Sequence, residues 1–255
     1  MFLAKYDENE VIDMNTIKID SKQAVLIAHR GLSGIEKENT NSAFVAAGNR
    51  SYYGIETDIH MTLDGKVVVF HDDWTGRICI DNMEVEKTTF DCLRGLKFTD
   101  RDGVKGRNDL VMPELSEYIR ICKKYEKVCV LELKNPFSEE DIHKVCEIIE
   151  AEEYMDHVIF ISFCMENLLK LHVKYPNQPA QYLCRECDGD LIDLMVRENL
   201  DLDIKHSGLS PELIEKLHAA GVKVNCWTVD DPERAAELIS WGVDMITTNI
   251  LEGTN

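Results

Sequence analysis

Short runs of β-branched and aliphatic residues alternate along the chain with stretches whose apolar positions recur every three to four residues. That alternation predicts a parallel α/β fold. The strands expected are Val25–His29, Gly54–Ile59, Val128–Lys134, His157–Phe163, Ala180–Cys184, Leu202–His206, Val222–Thr228 and Val243–Thr247. Helices are expected between most of them, over Asn41–Ser51, Pro113–Tyr125, Ser138–Glu153, Met165–Tyr175, Asp190–Glu198, Pro211–Ala220 and Pro232–Trp241. Ser210-Pro211 and Asp231-Pro232 each place a capping side chain before a proline at the first helical position. Gly221 and Gly242 stand where a helix C-terminus favours a left-handed residue.

A further extended run, Lys66–His71, follows Gly54–Ile59 across Leu63-Asp64-Gly65, a turn signal that returns the chain antiparallel. Without it, eight parallel strands remain, the number of a TIM (β/α)8 barrel. An open doubly wound sheet is the alternative, but no glycine-rich phosphate loop follows the first strand. The expectation is one barrel domain over residues 1–255, with residues 1–23 as an N-terminal extension. Residues from about 73 to 112 form an insertion beside the hairpin. Only Asn249–Asn255 follow the last strand, so the final helix is short or missing, and the N-terminal segment is a candidate to cover the gap.

With 44% hydrophobic and 29% charged residues among 255, the chain reads as an ordinary globular protein. Its 28 Lys and Arg against 47 Asp and Glu give a net charge of −19. That charge excludes a nucleic-acid binder, which needs a basic face, and an anionic membrane surface as a partner. No apolar run approaches the length of a membrane span, and no signal peptide is evident. Nine cysteines, several inside apolar patterns, point to buried reduced thiols and a cytoplasmic setting. Cys184-x-x-Cys187 has no second pair at zinc spacing, so a metal or redox role is the weaker reading.

The chemistry gathers where such a barrel keeps its active site, at the C-terminal ends of the strands. Strand 1 ends in His29-Arg30, strand 2 carries Glu56 and Asp58 on one face, the hairpin arm ends in His71-Asp72, and strand 3 carries Glu132 and Lys134. Each alone has a bland reading as a satisfied structural residue or an ion pair. Together, on strands whose two faces should both be apolar, so many charges are costly unless something binds them. Glu56, Asp58 and Glu132 suit one divalent cation, Ca²⁺ or Mg²⁺. His29 and His71 can work as acid and base, and Arg30 and Lys134 can neutralise a phosphate. The set suggests phosphodiester cleavage.

The runs Ala28-His29-Arg30-Gly31, Glu38-Asn39-Thr40-Asn41-Ser42-Ala43-Phe44, Gly54–Gly65 and Val68-Val69-Phe70-His71-Asp72 closely resemble the glycerophosphodiester phosphodiesterase family. Leu131–Lys134, Ser162-Phe163, Cys226–Val229 and Gly242–Thr248 follow in the family's order, so the resemblance covers about residues 24–250. It implies a metal-dependent TIM-barrel enzyme that cleaves glycerophosphodiesters to glycerol 3-phosphate and an alcohol. Glu56, Asp58 and Glu132 would be its metal ligands, His29 and His71 its acid/base pair, and Arg30 and Lys134 its phosphate contacts. Trp227 would form an apolar wall of the glycerol pocket. Glu38 and Asn39 read mainly as loop and helix-cap residues. The reaction expected uses the glycerol 2-hydroxyl as nucleophile and passes through a cyclic phosphate.

Departures fall in the loops. Asp230 stands where the family often has Asn, and Asn249 where it often has Asp; Arg77 matches a family arginine. Two alternatives stay open: a lysophospholipase D-like or other phosphodiesterase on the same site, and a non-catalytic phosphodiester-binding barrel. The first needs an apolar surface, which the polar insertion does not promise. The second should have lost a histidine or a ligand carboxylate, and none is missing.

Overall fold

Strands buried on both faces must close or be covered, and here eight of them close. The computed structural model describes residues 15–103 and 107–254; residues 1–14, most of the expected extension, lie outside them, as do residues 104–106 of the insertion. In chain order the first elements are β1 (Ile17–Ile19), β2 (Val25–Ala28), α1 (Asn41–Gly48), β3 (Gly54–Met61), β4 (Val67–Val69) and α2 (Phe90–Arg94). There follow α3 (Leu115–Lys124), β5 (Val128–Leu133), α4 (Glu139–Ala151), β6 (Val158–Ser162), α5 (Met165–Lys174) and β7 (Ala180–Cys184). The last are α6 (Gly189–Glu198), β8 (Asp201–Lys205), α7 (Pro211–Ala219), β9 (Val224–Trp227), α8 (Pro232–Trp241), β10 (Met245–Thr248) and β11 (Leu251–Gly253). Strands β2, β3 and β5–β10 are parallel neighbours, and β2 pairs with both β3 and β10, which closes the ring. The chain is therefore a TIM barrel.

Alternation along each strand divides the core in two. Outward residues such as Leu26, Ile55, Leu131 and Phe160 pack with Phe44, Ile119, Ile149 and Leu238 between barrel and helices. Inward residues Ile27, Val130, Ile159, Ile161, Leu183 and Met245 form a separate apolar plug. Ile27 precedes His29, and Val130 precedes Glu132, by one inward position, so the plug floors the polar mouth. Ser210 and Asp231 cap α7 and α8 with proline in the first turn, and Gly242 ends α8 at φ +94°.

The hairpin runs as the Asp-Gly turn dictates. Met61 faces Val67 and Ile59 faces Val69 in antiparallel register, and Gly65 takes φ +72°. The following segment buries Ile78, Val85, Leu93, Phe98, Leu110 and Met112 against Val68 and Phe70 in a small core of its own. After β10 the chain forms a strand rather than a helix: β11 pairs in parallel with β1. Glu252 of β11 is buried, accepts from Ser51 N and Oγ at 3.2 Å each, and pairs with Lys18 Nζ at 2.6 Å. The described part of the N-terminal segment is thus tied to the end of the chain and to the loop after α1. No helix among the described residues is long and apolar enough to cross a membrane.

Candidate active site

The mouth begins with a bend in the backbone. Arg30 at φ +53° and Gly31 at φ +76° are consecutive left-handed residues directly after β2. Only glycine fits at Gly31, because a Cβ there would lie 2.7 Å from Ala43 of α1. The bend is held by Glu56, whose Oε2 accepts from Arg30 N at 2.7 Å and whose carbonyl accepts from Gly31 N at 3.2 Å. A non-glycine residue in this conformation is strained, and the cost is borne where the chain needs Arg30 turned toward the mouth.

Parallel register places Asp58 of β3 beside Glu132 of β5. Glu56, Asp58 and Glu132 are all buried, and one oxygen from each lies within 4.8 Å of the others. Burial and the neighbouring Asp58 push the Glu56 carboxyl well above its ordinary range and the Glu132 carboxyl up to about 8. Burial would raise Asp58 too, but Lys134 and Arg30 outweigh it and hold that carboxyl well below its usual range. Lys134 Nζ stands 2.9 Å from Glu132 Oε1 and 3.4 Å from Asp58 Oδ1. Asn39 is no mere cap: its Nδ2 donates to Asp58 Oδ2 at 2.8 Å while its Oδ1 accepts from Thr57 Oγ1 at 2.7 Å. Apart from the Lys134 ammonium, the buried Asp58 Oδ1 and Glu132 Oε1 have no polar partner in hydrogen-bonding geometry. Three buried hard carboxylates with oxygens this close together, and one ammonium shared between two of them, fit a divalent cation.

Each histidine is held through Nδ1. His29 Nδ1 lies 2.7 Å from Asn249 Oδ1, which also accepts from Ser33 Oγ at 2.7 Å. The Asn249 amide is fixed from its other side, where Nδ2 donates to Asp230 Oδ2 at 2.6 Å. The exchanged pair seen in the sequence thus keeps one amide and one carboxylate in contact, with the amide next to the ring. Burial first, then the Arg30 charge, push His29 down to about 4, so its ring is neutral at physiological pH. His71 Nδ1 lies 2.5 Å from Asp72 Oδ1. Arg77 Nε donates to Asp72 Oδ2 at 2.5 Å, and Arg77 forks onto Glu38 at 2.7 and 2.8 Å. Glu38 in turn accepts from Arg30 Nη1 at 2.8 Å. Burial lowers His71 as well, against the pull of Asp58.

Two cavities meet here. The more enclosed of the two, about 120 Å³, is lined by the polar His29, Glu56, His71 and Glu132 and by the apolar Leu183, Phe163 and Trp227. Phe163 and Trp227 meet edge to face at 5.6 Å. An open groove of about 760 Å³ is lined by His71, Asp72, Asp73, Trp74, Arg77 and Lys134. All eight site residues expected from the sequence come together at this mouth, seven of them lining the enclosed cavity and Asp58 buried among them.

Sequence reasoning missed others. Glu38 joins two arginines rather than capping a helix, and Asp203 of β8 reaches the enclosed cavity from the far wall, its carboxyl pushed well up by burial. His206 turns to Arg234, which donates to its carbonyl at 2.6 Å, and stays out of both cavities. His60 is fully buried against Glu86 at 3.0 Å, a structural position. All nine cysteines are free, and burial pushes the thiols of Cys184 and Cys187 up to about 12 and about 11, unlike a reactive dithiol.

The family model of glycerophosphoryl diester phosphodiesterases matches residues 29–252. A glycerophosphodiester phosphodiesterase of Caldanaerobacter subterraneus is 29% identical over 234 residues, covering 89% of this chain and 94% of that one. The crystal structure of a glycerophosphodiester phosphodiesterase from Parabacteroides distasonis is 26% identical with a TM-score of 0.75, covering 89% and 93%. A phosphodiesterase of Oleispira antarctica, solved with its product sn-glycerol-3-phosphate, shares the fold at a TM-score of 0.76 and 24% identity, over 89% and 93% of the two chains. Barrel and relatives together define a hydrolase of phosphate diesters. The chain belongs to the glycerophosphoryl diester phosphodiesterase family, and glycerophosphodiester phosphodiesterase activity is supported by that membership.

Proposed function

We propose that the protein hydrolyses glycerophosphodiesters to sn-glycerol 3-phosphate and an alcohol by two-histidine acid/base catalysis at a divalent cation, Ca²⁺ or Mg²⁺. One observation carries the reading: both histidines line one cavity with Glu56 and Glu132 of the carboxylate cluster, and each has Nδ1 engaged by an oxygen, which leaves Nε2 for chemistry. Glu56, Asp58 and Glu132 would hold the cation. When bound, it supplies charge stabilisation for the phosphoryl oxygens.

The two cavities divide the substrate. His29 lines only the enclosed one, whose size suits the glycerol arm, whereas His71 also borders the open groove by which an alcohol can leave. His29, neutral and with Nδ1 protonated toward Asn249, accepts the proton of the glycerol 2-hydroxyl at Nε2. That oxygen attacks phosphorus, the bond to the alcohol oxygen breaks, and His71 gives the departing alcohol its proton. Arg30 and Lys134 offset the charge that builds on phosphate. In the second half His71 takes a proton from water, which attacks phosphorus, and His29 returns its proton to the 2-oxygen as the ring opens. The groove's Asp72, Asp73, Arg77 and Asn135 offer hydrogen-bond partners to a polar alcohol, beside the exposed Trp74 ring. A propane-1,3-diol phosphodiester lacks the 2-hydroxyl, and it is expected to give no turnover above about 1% of the glycerol compound; comparable rates on both would rule out the cyclic route.

Asp230 acts here as a positioning residue. Without it the Asn249 amide is free to flip and present Nδ2 to His29, which selects the tautomer whose Nε2 carries hydrogen and cannot accept a proton. Asp230→Ala is expected to lower kcat about 10- to 100-fold, with KM within about threefold. Adding Asn249→Asp should restore most of the loss, because a carboxylate accepts from Nδ1 whichever way it turns. Steady-state kinetics of both variants check this, and a merely structural role for Asp230 would leave the double variant as slow as the single one.

A further inference from the structure

Asp203 is the one carboxyl at the enclosed cavity that the mechanism above does not use. It sits on β8 with 1% of its surface exposed, and its neighbours across the sheet are Leu183 and Asn225. The polar groups nearby are already occupied with one another. Asn225 Nδ2 donates to Gln181 Oε1 at 3.2 Å, and Asn225 Oδ1 accepts from Thr247 Oγ1 at 3.3 Å. Trp227 Nε1 donates to the Asp203 carbonyl at 3.4 Å, not to its side chain. Oδ1 of Asp203 is buried with no hydrogen-bond partner, and no cation pairs with the carboxyl among the described residues. A buried acceptor left unsatisfied is expensive, and natural proteins keep such groups where a ligand completes them.

The cavity shows which ligand group arrives there. Its polar wall, with His29, His71, Arg30 and Lys134, must face the phosphate. Leu183 and Asp203 stand on β7 and β8, across the closed ring from β2 and β3, and Phe163 and Trp227 line the same cavity, so a short carbon arm leaving the phosphate toward them runs along apolar surface and ends near that carboxyl. The geometry points to Asp203 as the residue that recognises the free terminal hydroxyl of the substrate's glycerol arm, and so selects glycerol over a simple diol. This rests on the phosphodiesterase reading above, in which the 2-hydroxyl is spent on attack and the terminal hydroxyl is left to be recognised. A site built around a substrate hydroxyl discriminates strongly against the analogue lacking it, because the buried acceptor stays unpaired.

The test compares sn-glycero-3-phosphocholine with the phosphocholine diester of propane-1,2-diol, which keeps the 2-hydroxyl and lacks only the terminal one. The wild-type enzyme should favour the glycerol compound by about 100-fold or more in kcat/KM. Asp203→Leu should cut turnover of the glycerol compound by a similar factor while leaving the deoxy compound unchanged or faster, which also reports that the variant is folded. Asp203→Asn, which keeps an acceptor, should retain part of the preference. Equal wild-type turnover of both compounds, or equal loss on both in the two variants, overturns the assignment while leaving the hydrolase reading intact. No wild-type turnover of either compound, nor of the ethanolamine, glycerol and inositol diesters, overturns the hydrolase reading and this assignment with it.

Discussion

His71→Ala is expected to lower kcat on glycerophosphocholine by about 10³-fold, within the range that a positioned acid or base contributes. The same substitution should cost no more than about tenfold on a nitrophenyl diester of glycerol phosphate. The difference follows from the role proposed for His71. Choline leaves as an alkoxide unless it receives a proton, whereas a nitrophenolate departs without one. His29→Ala removes the base that frees the 2-hydroxyl, which both substrates need, so it should slow both by about 10³-fold. Steady-state rates of the two variants on the two substrates form the check. Equal losses in all four measurements would show that the histidines do not divide the work as argued, and near-normal rates would remove them from the chemistry.

Removing divalent cations is expected to abolish turnover and to change stability in a direction that depends on pH. Glu132 is held up to about 8 against an ordinary value of 4.5, so the folded protein keeps this proton after the unfolded chain has lost it. Stability is therefore lost as pH rises from the unfolded value toward the folded one, and Glu56 acts in the same sense. Asp58, whose carboxyl is lowered, works the other way and gives its contribution already above its unfolded value. A bound cation requires the carboxylates ionised and offsets the loss. At pH 8, millimolar Ca²⁺ or Mg²⁺ should raise the melting temperature of the chelated protein by about 5 °C or more. Glu132→Gln should be inactive, less sensitive to cation, and flatter in its pH dependence between 5 and 8. A melting temperature indifferent to cation in the wild type would contradict the ligand set.

Much of this was legible because it depends on local pattern. The β-branched runs found the eight barrel strands, with ends off by at most two residues where a strand frays into its loop. Asp64-Gly65 found the hairpin through the left-handed residue it needs. The carboxylates and histidines could be read as a site because so many charges together, on strands buried on both faces, are costly unless something binds them. The rest depended on contacts between distant segments. Glu38 sits among loop residues, and nothing local says that Arg77, 39 residues on, will fork onto it. Asp230 and Asn249 could be seen as an exchanged pair but not as touching, since their contact exists only because β9 and β10 end side by side. Asp203 lies in the alternation Asp201-Leu202-Asp203, which reads like a strand with one wet face. Closure of the ring turns that face into the inside of the cavity.

The proposed cation-dependent hydrolysis is tested most directly by ³¹P NMR of glycerophosphodiesters of choline, ethanolamine, glycerol and inositol with the purified protein, with divalent cation and then with EDTA. It predicts that at least one diester resonance is replaced by that of sn-glycerol 3-phosphate, and that chelation halts the conversion until cation is restored. Conversion that continues in EDTA, or no conversion of any of the four, would contradict it.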